Sequence, residues 1–440
     1  DQLQDAAALL TEQPEIMRSL LLLAASRQYE AGDVQHWFHV GFSDPAIQNG
    51  VRTRCSDDLL WLPLSAAEYL ERTGDMSLLN EQVPYLKSEP LGEGERERYE
   101  NAVRSEETDT LYGHCLRAVR MFLTRGRGAH GLPLILGGDW NDGMNAVGPD
   151  GRGESVWLAW FGALALRRFA PVCRGLGDGD TAAFFLDEAK ALRHAALEAY
   201  DGDRFVRAYT DAGAVIGAES SPECKIDSIA QSFAWLSADG TEPEGEKVKM
   251  RTALQTALDA LADDKNKLVR LFTPPFTPPA QTGYICAYPR GVRENGGQYT
   301  HAAIWLALAC FYADREDDGW SLLQMLLPEN HDPVIYGGED FVIAADVYGD
   351  GDKTGMCGWS WYTGSAAWYR RAVLEGMLGI RATPAGLTVT PRLPADLPAC
   401  ECRLTLGEKR VALRIERTAN RRTHTVDLSD GAKEYRIELR

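Results

Sequence analysis

Apolar residues recur at helical spacing along most of this chain in two alternating strengths, and that alternation limits what it can fold into. Residues 154–172 are apolar on nearly every side, with Val156, Trp157, Trp160, Phe161, Leu164 and Leu166 leaving no polar face, so a helix there must be covered all round. Residues 180–200 carry one stripe, Phe185, Ala189, Leu192 and Ala196, among charges, which predicts an outer helix with one wet face. The alternation continues through 227–236, 246–262, 299–313, 319–327 and 365–377. Upstream, 3–28 reads as helix broken or restarted at Pro14. A helix carrying Leu59, Leu60, Leu64, Ala67 and Leu70, with Pro63 a candidate kink, and a helix over 108–123 follow. Strand-like pieces at 205–209 and 268–273 are short and isolated, and the charged stretch 89–107 reads as an exposed loop. The expectation is a mainly α chain, a toroid of helical hairpins with function in the loops at one rim.

The texture changes near residue 379. Segments 387–390, 402–406, 410–415, 423–428 and 435–439 are alternating or β-rich with turn residues between them. At 440 residues the chain is long for one core, so a helical domain over 1–378 and a small all-β domain over 379–440 are expected. The first residue is not Met and already lies in helix-like sequence, which suggests a fragment of something longer.

Charge and cysteine usage narrow the function classes. Lys and Arg total 46 against 64 Asp and Glu, a net charge of −18, so the chain as a whole repels nucleic acid and anionic membranes. No uninterrupted apolar run approaches a membrane span. Nine scattered cysteines without a Cys-x-x-Cys pair fit reduced thiols and a cytoplasmic setting. His36 and His39 would share a face, and so suit a metal, only on a helix; no metal site is expected.

One stretch stands out for chemistry: residues 137–145, Gly-Gly-Asp-Trp-Asn-Asp-Gly-Met-Asn. Glycines at both ends let the backbone turn sharply. Asp139 and Asp142 flank an indole that suits the apolar face of a pyranose. A partly desolvated Asp142 would have its pKa raised and could protonate a glycosidic oxygen. Residue types alone also allow a plain Gly/Asp/Asn turn with Trp140 filling a gap.

Four further polar-aromatic segments look like pocket rather than core. They are 35–39, 52–58 with Arg54 and Asp57, 293–301 with Arg293, Glu294 and His301, and 358–365, which opens a helix. In the last, the backbone N–H groups of Gly364 and Ser365 with the Thr363 hydroxyl would make an anion site. Capping acids would explain 52–58, and an aromatic plug with a Thr or Ser cap would explain 358–365. Together the segments suggest a single catalytic acid, sugar platforms and an anion nest, which is enough for phosphate itself to attack an anomeric carbon.

Five of these motifs, in order, resemble glycoside hydrolase family 94: Gln35-His36-Trp37, Arg52-Thr53-Arg54-Cys55-Ser56-Asp57-Asp58, 137–145, 293–305 and 358–365. That family holds the inverting phosphorylases of cellobiose and chitobiose. The branch with 1,2-β-oligoglucan phosphorylase and the phosphorylase-like region of cyclic β-1,2-glucan synthases is most similar. The resemblance implies an (α/α)6 barrel followed by part of a jelly-roll-like β domain, with the family's N-terminal β-sandwich missing here. It assigns the general acid to Asp142 and places Asp1, Arg54, Asp57, Asp139, Trp140, Arg293 and Glu294 near the substrate and His301, Thr363 and Gly364 around phosphate. The implied reaction is phosphorolysis of a β-linked gluco-oligosaccharide, β-1,2 by branch, to α-glucose 1-phosphate, with inorganic phosphate as co-substrate and no cofactor. It leaves open a homodimer or a place in a larger multidomain chain. Phe38 stands where the branch has a second tryptophan, and 41–49 looks inserted beside the rim. The rivals are an inverting hydrolase with Glu294 as base and a non-catalytic glycan-binding barrel inside a larger synthase.

Overall fold

The computed structural model describes residues 1–39, 47–278, 280, 282–361, 364–418 and 421–439. Most of the expected 41–49 insertion, and the phosphate candidate Thr363, fall outside these residues.

Six helices form a closed inner ring: Gln2–Leu9, Asp58–Thr73, Val156–Gly175, Ser228–Leu236, Thr300–Tyr312 and Ser365–Arg371. Each packs on the next, and the last packs back on the first. Ser365–Arg371 continues as a π-helical turn, Ala372–Met377. Five outer helices, Pro14–Ala25, Leu111–Arg125, Gly179–Glu198, Glu244–Leu261 and Glu316–Met325, each pack on the inner helix preceding them. The apolar patterning explains which is which. Trp157, Trp160, Phe161, Leu166 and Phe169 of Val156–Gly175 are buried, whereas Gly179–Glu198 buries the stripe Phe185, Ala189 and Leu192. By length and composition Val156–Gly175 could cross a membrane, contrary to the sequence expectation, but 78% of its most apolar window is buried in the protein. It is a core helix. Pro63 lies inside Asp58–Thr73 without ending it.

The segments just before the N-termini of the six inner helices, residue 1, 52–57, 137–155, 226–227, 293–299, 358–361 and 364, gather at one rim, linked by contacts among Ser56, Gly138, Asp139, Asp227, Arg293, Trp359, His301 and Gly364. That rim collects the positive ends of the helix dipoles.

Two expectations about the rim change. Residues 97–110 form a strand rather than a loop: Glu97–Thr110 pairs antiparallel with both Ile47–Thr53 and Gln82–Lys87. Its side chains are mostly exposed, Ala102 and Ser105 excepted, so backbone pairing holds it and no apolar alternation marks it in the sequence. Gln35–Phe38 is the fourth strand of that sheet, so His36 and His39 do not share a helical face.

Beyond Met377 the chain forms two three-stranded sheets. Ile380–Thr383, Gly386–Val389 and His424–Asp427 make one, and Ala399–Leu406, Lys409–Glu416 and Glu434–Leu439 the other. Leu387, Val389, Leu404, Leu413, Ile415 and Val426 are buried in the same core as the helices. All nine cysteines are free.

Candidate active site

The segment 137–145 is held from below. Gly137 N donates to Arg54 O at 3.3 Å, and Gly138 O accepts from Ser56 N at 3.0 Å. Gly138 has φ +131°, a conformation open to glycine. Asp139, expected at the substrate, is instead part of the foundation. Neither it nor Arg207 exposes its side chain. Its Oδ1 accepts from Arg207 Nη2 at 2.6 Å and Asn141 N at 3.1 Å, and its Oδ2 from Arg207 Nη1 at 2.7 Å and Ser155 Oγ at 2.6 Å. With both oxygens occupied it has none left for a sugar. Arg207 also faces Asp227 Oδ2 at 3.3 Å.

Above this anchor the chain turns into a short 3-10 turn, Asp142–Met144, which lifts Asp142 into the rim with 43% of its side chain exposed. Opposite it, His36 Nε2 lies 3.5 Å from Asp142 Oδ2. The other His36 nitrogen, Nδ1, lies 3.1 and 3.0 Å from the two oxygens of Asp58. Tyr284 also donates to Asp142. Burial alone would raise the Asp142 pKa. The hydrogen bonds from His36 and Tyr284, with the His36 charge, outweigh it and hold the carboxyl below its usual range. That reverses the expected raised value: without a sugar in place, Asp142 is ionised.

Trp140, half-buried, meets the helix Thr300–Tyr312 and the residue before it. Its ring centroid lies 5.5 Å from that of Tyr299, 5.3 Å from His301 and 4.9 Å from Trp305. This contact brings His301, a phosphate candidate, beside the acid's own loop. A Cβ built on Gly364 would lie 3.5 Å from His301 Cε1 and 3.6 Å from Asp1 Oδ1, so Asp1, His301 and Gly364 converge. Burial pushes the His301 pKa well below the usual histidine value, and its buried Nε2 has no hydrogen-bond partner among the described residues. Neutral His301 offers an N–H donor rather than a charge. Glu294 is buried beside Arg293, whose Nε lies 3.4 Å from Glu294 Oε2. Burial raises its carboxyl pKa, and the Asp142 charge adds to that.

Arg54 and Asp57 lie on the neighbouring segment. Arg54 Nη2 donates to Gly92 O at 2.7 Å and Leu91 O at 3.3 Å. Asp57 is buried and accepts from Trp61 Nε1 at 2.9 Å. Burial and the adjacent Asp58 charge push its carboxyl up to about 7. His36, Cys55 and Asp58 bring three donor atoms within 4.8 Å of one another. Carboxylates already engage both His36 nitrogens, and Cys55 Sγ donates to Asp139 O at 3.5 Å.

Sequence reasoning had passed over four contributors: His36 as the partner of Asp142, Tyr284, Arg207 beneath the motif, and Asp346. Asp346 is buried, accepts from Arg293 N at 3.3 Å and from Trp359 N at 2.9 Å, and ties two site segments together. His36 stood inside a recognised motif; the others carried no signal at all.

Residues 1–379 match the family described as the glycosyl hydrolase 94 superfamily, catalytic domain. The chain belongs to that family. It is 44% identical over 405 residues to the cyclic beta-(1,2)-glucan synthase NdvB of Rhizobium meliloti, covering 90% of this chain and 14% of that one. It is 30% identical over 404 residues to the 3-O-beta-D-glucopyranosyl-beta-D-glucuronide phosphorylase of Paenibacillus borealis, covering 90% and 49%. To the 1,2-beta-oligoglucan phosphorylase of Listeria innocua it is 23% identical over 448 residues, covering 93% and 38%. This family 94 chain thus spans half or less of the length of these relatives. A bacterial glucoamylase complexed with acarbose is similar in fold alone, with a TM-score of 0.51 at 11% identity over 85% of this chain and 48% of that one. The helix-rich part is consistent with an (α/α)6 barrel.

Proposed function

We propose that this chain is the catalytic part of an inverting glycoside phosphorylase acting on β-linked gluco-oligosaccharides, with β-1,2 linkage preferred. Asp142 protonates the glycosidic oxygen while inorganic phosphate, held by His301 with Thr363 and Gly364, attacks the anomeric carbon from the opposite face and yields α-glucose 1-phosphate. Trp140, Arg293, Glu294 and Asp1 line the sugar side, with Arg54 and Asp57 at its edge. The reaction needs phosphate as co-substrate and no cofactor. The observation that carries this reading is the convergence of Asp142, Trp140, His301 and Gly364 where the positive ends of six inner helices meet. The names of the family relatives support the reaction class, and that of NdvB the linkage. We further propose that residues 1–378 form an (α/α)6 barrel, that 379–440 are part of a jelly-roll-like domain, and that the protein is cytoplasmic.

Phosphorus NMR with β-1,2-gluco-oligosaccharides and phosphate, beside a phosphate-free control and a cellobiose series, tests it. A growing α-glucose 1-phosphate signal with the first series, abolished by Asp142→Asn, is expected. Sugar released equally without phosphate would mean an inverting hydrolase with Glu294 as base. The chain's 14% share of NdvB favours a second reading, a glycan-binding barrel of a larger synthase. Tight oligosaccharide binding without turnover in either direction would support that one.

A further inference from the structure

The acid's partner is delivered by an irregularity in the rim sheet. Gln35 pairs with Arg52 and Trp37 with Val51, so His36 has no residue opposite it and is the extra residue of a β-bulge. Bulges re-aim side chains beside active sites. Gly50 permits this one, since a Cβ there would lie 2.6 Å from Trp37 O and 2.7 Å from the Gln35 side chain. The re-aimed imidazole spans two carboxylates, with Nδ1 on Asp58 and Nε2 on Asp142.

Resting on Asp142 as the acid, we propose that His36 is the positioning residue that stores its proton: held as imidazolium by Asp58, it passes that proton to Asp142, which gives it to the leaving sugar oxygen. In the forward reaction the His36 Nε2–H bond breaks as Asp142 O–H forms. That O–H then breaks as the leaving oxygen takes the proton, and the C1–O electron pair stays on that oxygen while a phosphate oxygen bonds C1. His36 ends neutral and is recharged from solvent.

Among the described residues, the titratable groups facing His36 favour this role. Asp58 and Asp57 face it from the start of Asp58–Thr73, and Asp142 faces it from the motif. Cys55 is the nearest thiol, and burial with the surrounding aspartates raises its pKa well above the usual value, so it stays neutral. Arg125, half-buried, donates to Cys55 O at 2.6 Å and is a countercharge to Asp58. The Asp58 charge comes first among the influences that raise the His36 pKa well above the ordinary histidine value, against the opposing effect of burial. The pair explains how an acid ionised at rest can donate: one proton is shared by His36 and Asp142 and titrates with the pair, not with the carboxyl alone.

The test is the pH profile of phosphorolysis in the wild type, His36→Gln and Asp58→Asn, with Asp142→Asn as reference. In the wild type the alkaline limb should follow the raised imidazolium. In His36→Gln the proton must sit on a carboxyl, and the limb should move down by about one pH unit or more. Asp58→Asn should move it in the same direction and less far. A fall in kcat with the limb unmoved in both variants would overturn the relay while leaving Asp142 as acid. If turnover survives Asp142→Asn, the functional reading fails and the relay fails with it; if wild-type turnover is absent, the functional reading fails first and the relay is judged by nitrogen-15 NMR of the His36 ring. A ring that stays charged above pH 7 in the wild type and loses its proton at lower pH in Asp58→Asn and Asp142→Asn upholds it. A ring titrating at the ordinary value in all three overturns it.

Discussion

Arg207 grips Asp139 through both carboxylate oxygens, at 2.6 and 2.7 Å, with neither side chain open to solvent. The pair joins the turn carrying the proposed acid to the strand Ala208–Tyr209 and the helix cap at Ser155. Removing one partner would leave a buried, uncompensated charge. Arg207→Met should therefore cost about 3–5 kcal/mol of stability, read from the midpoint of urea unfolding. Asp139→Asn, which keeps one acceptor, should cost less and lower activity with it.

Gly283 controls the position of Asp142 from the other side. It has φ +131°, and a Cβ there would lie 2.4 Å from Gly143 O and 2.5 Å from Asn145 Oδ1. Gly283→Ala must push the turn Asp142–Met144 aside. A displacement of about 1 Å at a catalytic group costs about 100-fold in rate. The expected result is that loss in kcat with far-UV circular dichroism unchanged.

Asp57 makes stability depend on pH in a stated direction. Its folded pKa is about 7 against about 3.9 for an unfolded aspartate, so the native state binds the extra proton between these values. The stabilisation is complete below about pH 4 and is lost as pH rises to about 7. Asp57→Asn keeps an acceptor for Trp61 and should flatten that part of the curve. It should be more stable than the wild type at pH 8, by thermal melts across the range.

Asp346 should matter without touching substrate. It holds Arg293 N and Trp359 N together, and losing the carboxylate leaves those donors poorly satisfied at a cost of roughly 1–3 kcal/mol. Asp346→Ala is expected to raise KM for the oligosaccharide more than it lowers kcat, because it loosens the sugar side and leaves Asp142 in place. Steady-state kinetics with varied oligosaccharide checks the split.

Much of this was legible in the residues. Which helices are inner and which outer follows from how much of each circumference is apolar, as Val156–Gly175 and Gly179–Glu198 show. The β-rich tail was visible as period-two alternation, and the motif around Asp142 as a turn rich in carboxylate, amide and indole. The strand Glu97–Thr110 was missed because most of its side chains face water, so no apolar alternation marks the paired backbone. Asp139 and Asp142, three residues apart with the same side chain, were both expected at the substrate. One is the anchor and the other the proposed acid, because Arg207 lies beneath the first and open rim above the second.

Sequence by itself determined the helical toroid, its covered and half-covered layers, the β segment after it and the residue types at the rim, since each is set by local spacing and apolar content. Only the tertiary structure decided who faces whom: His36 between Asp58 and Asp142, Arg207 under Asp139, and Gly364 beside His301 and Asp1. Periodicity records which side of an element avoids water. It holds no record of what ring closure and a one-residue bulge bring across from a distant part of the chain, and the protonation state of Asp142 depends on those neighbours.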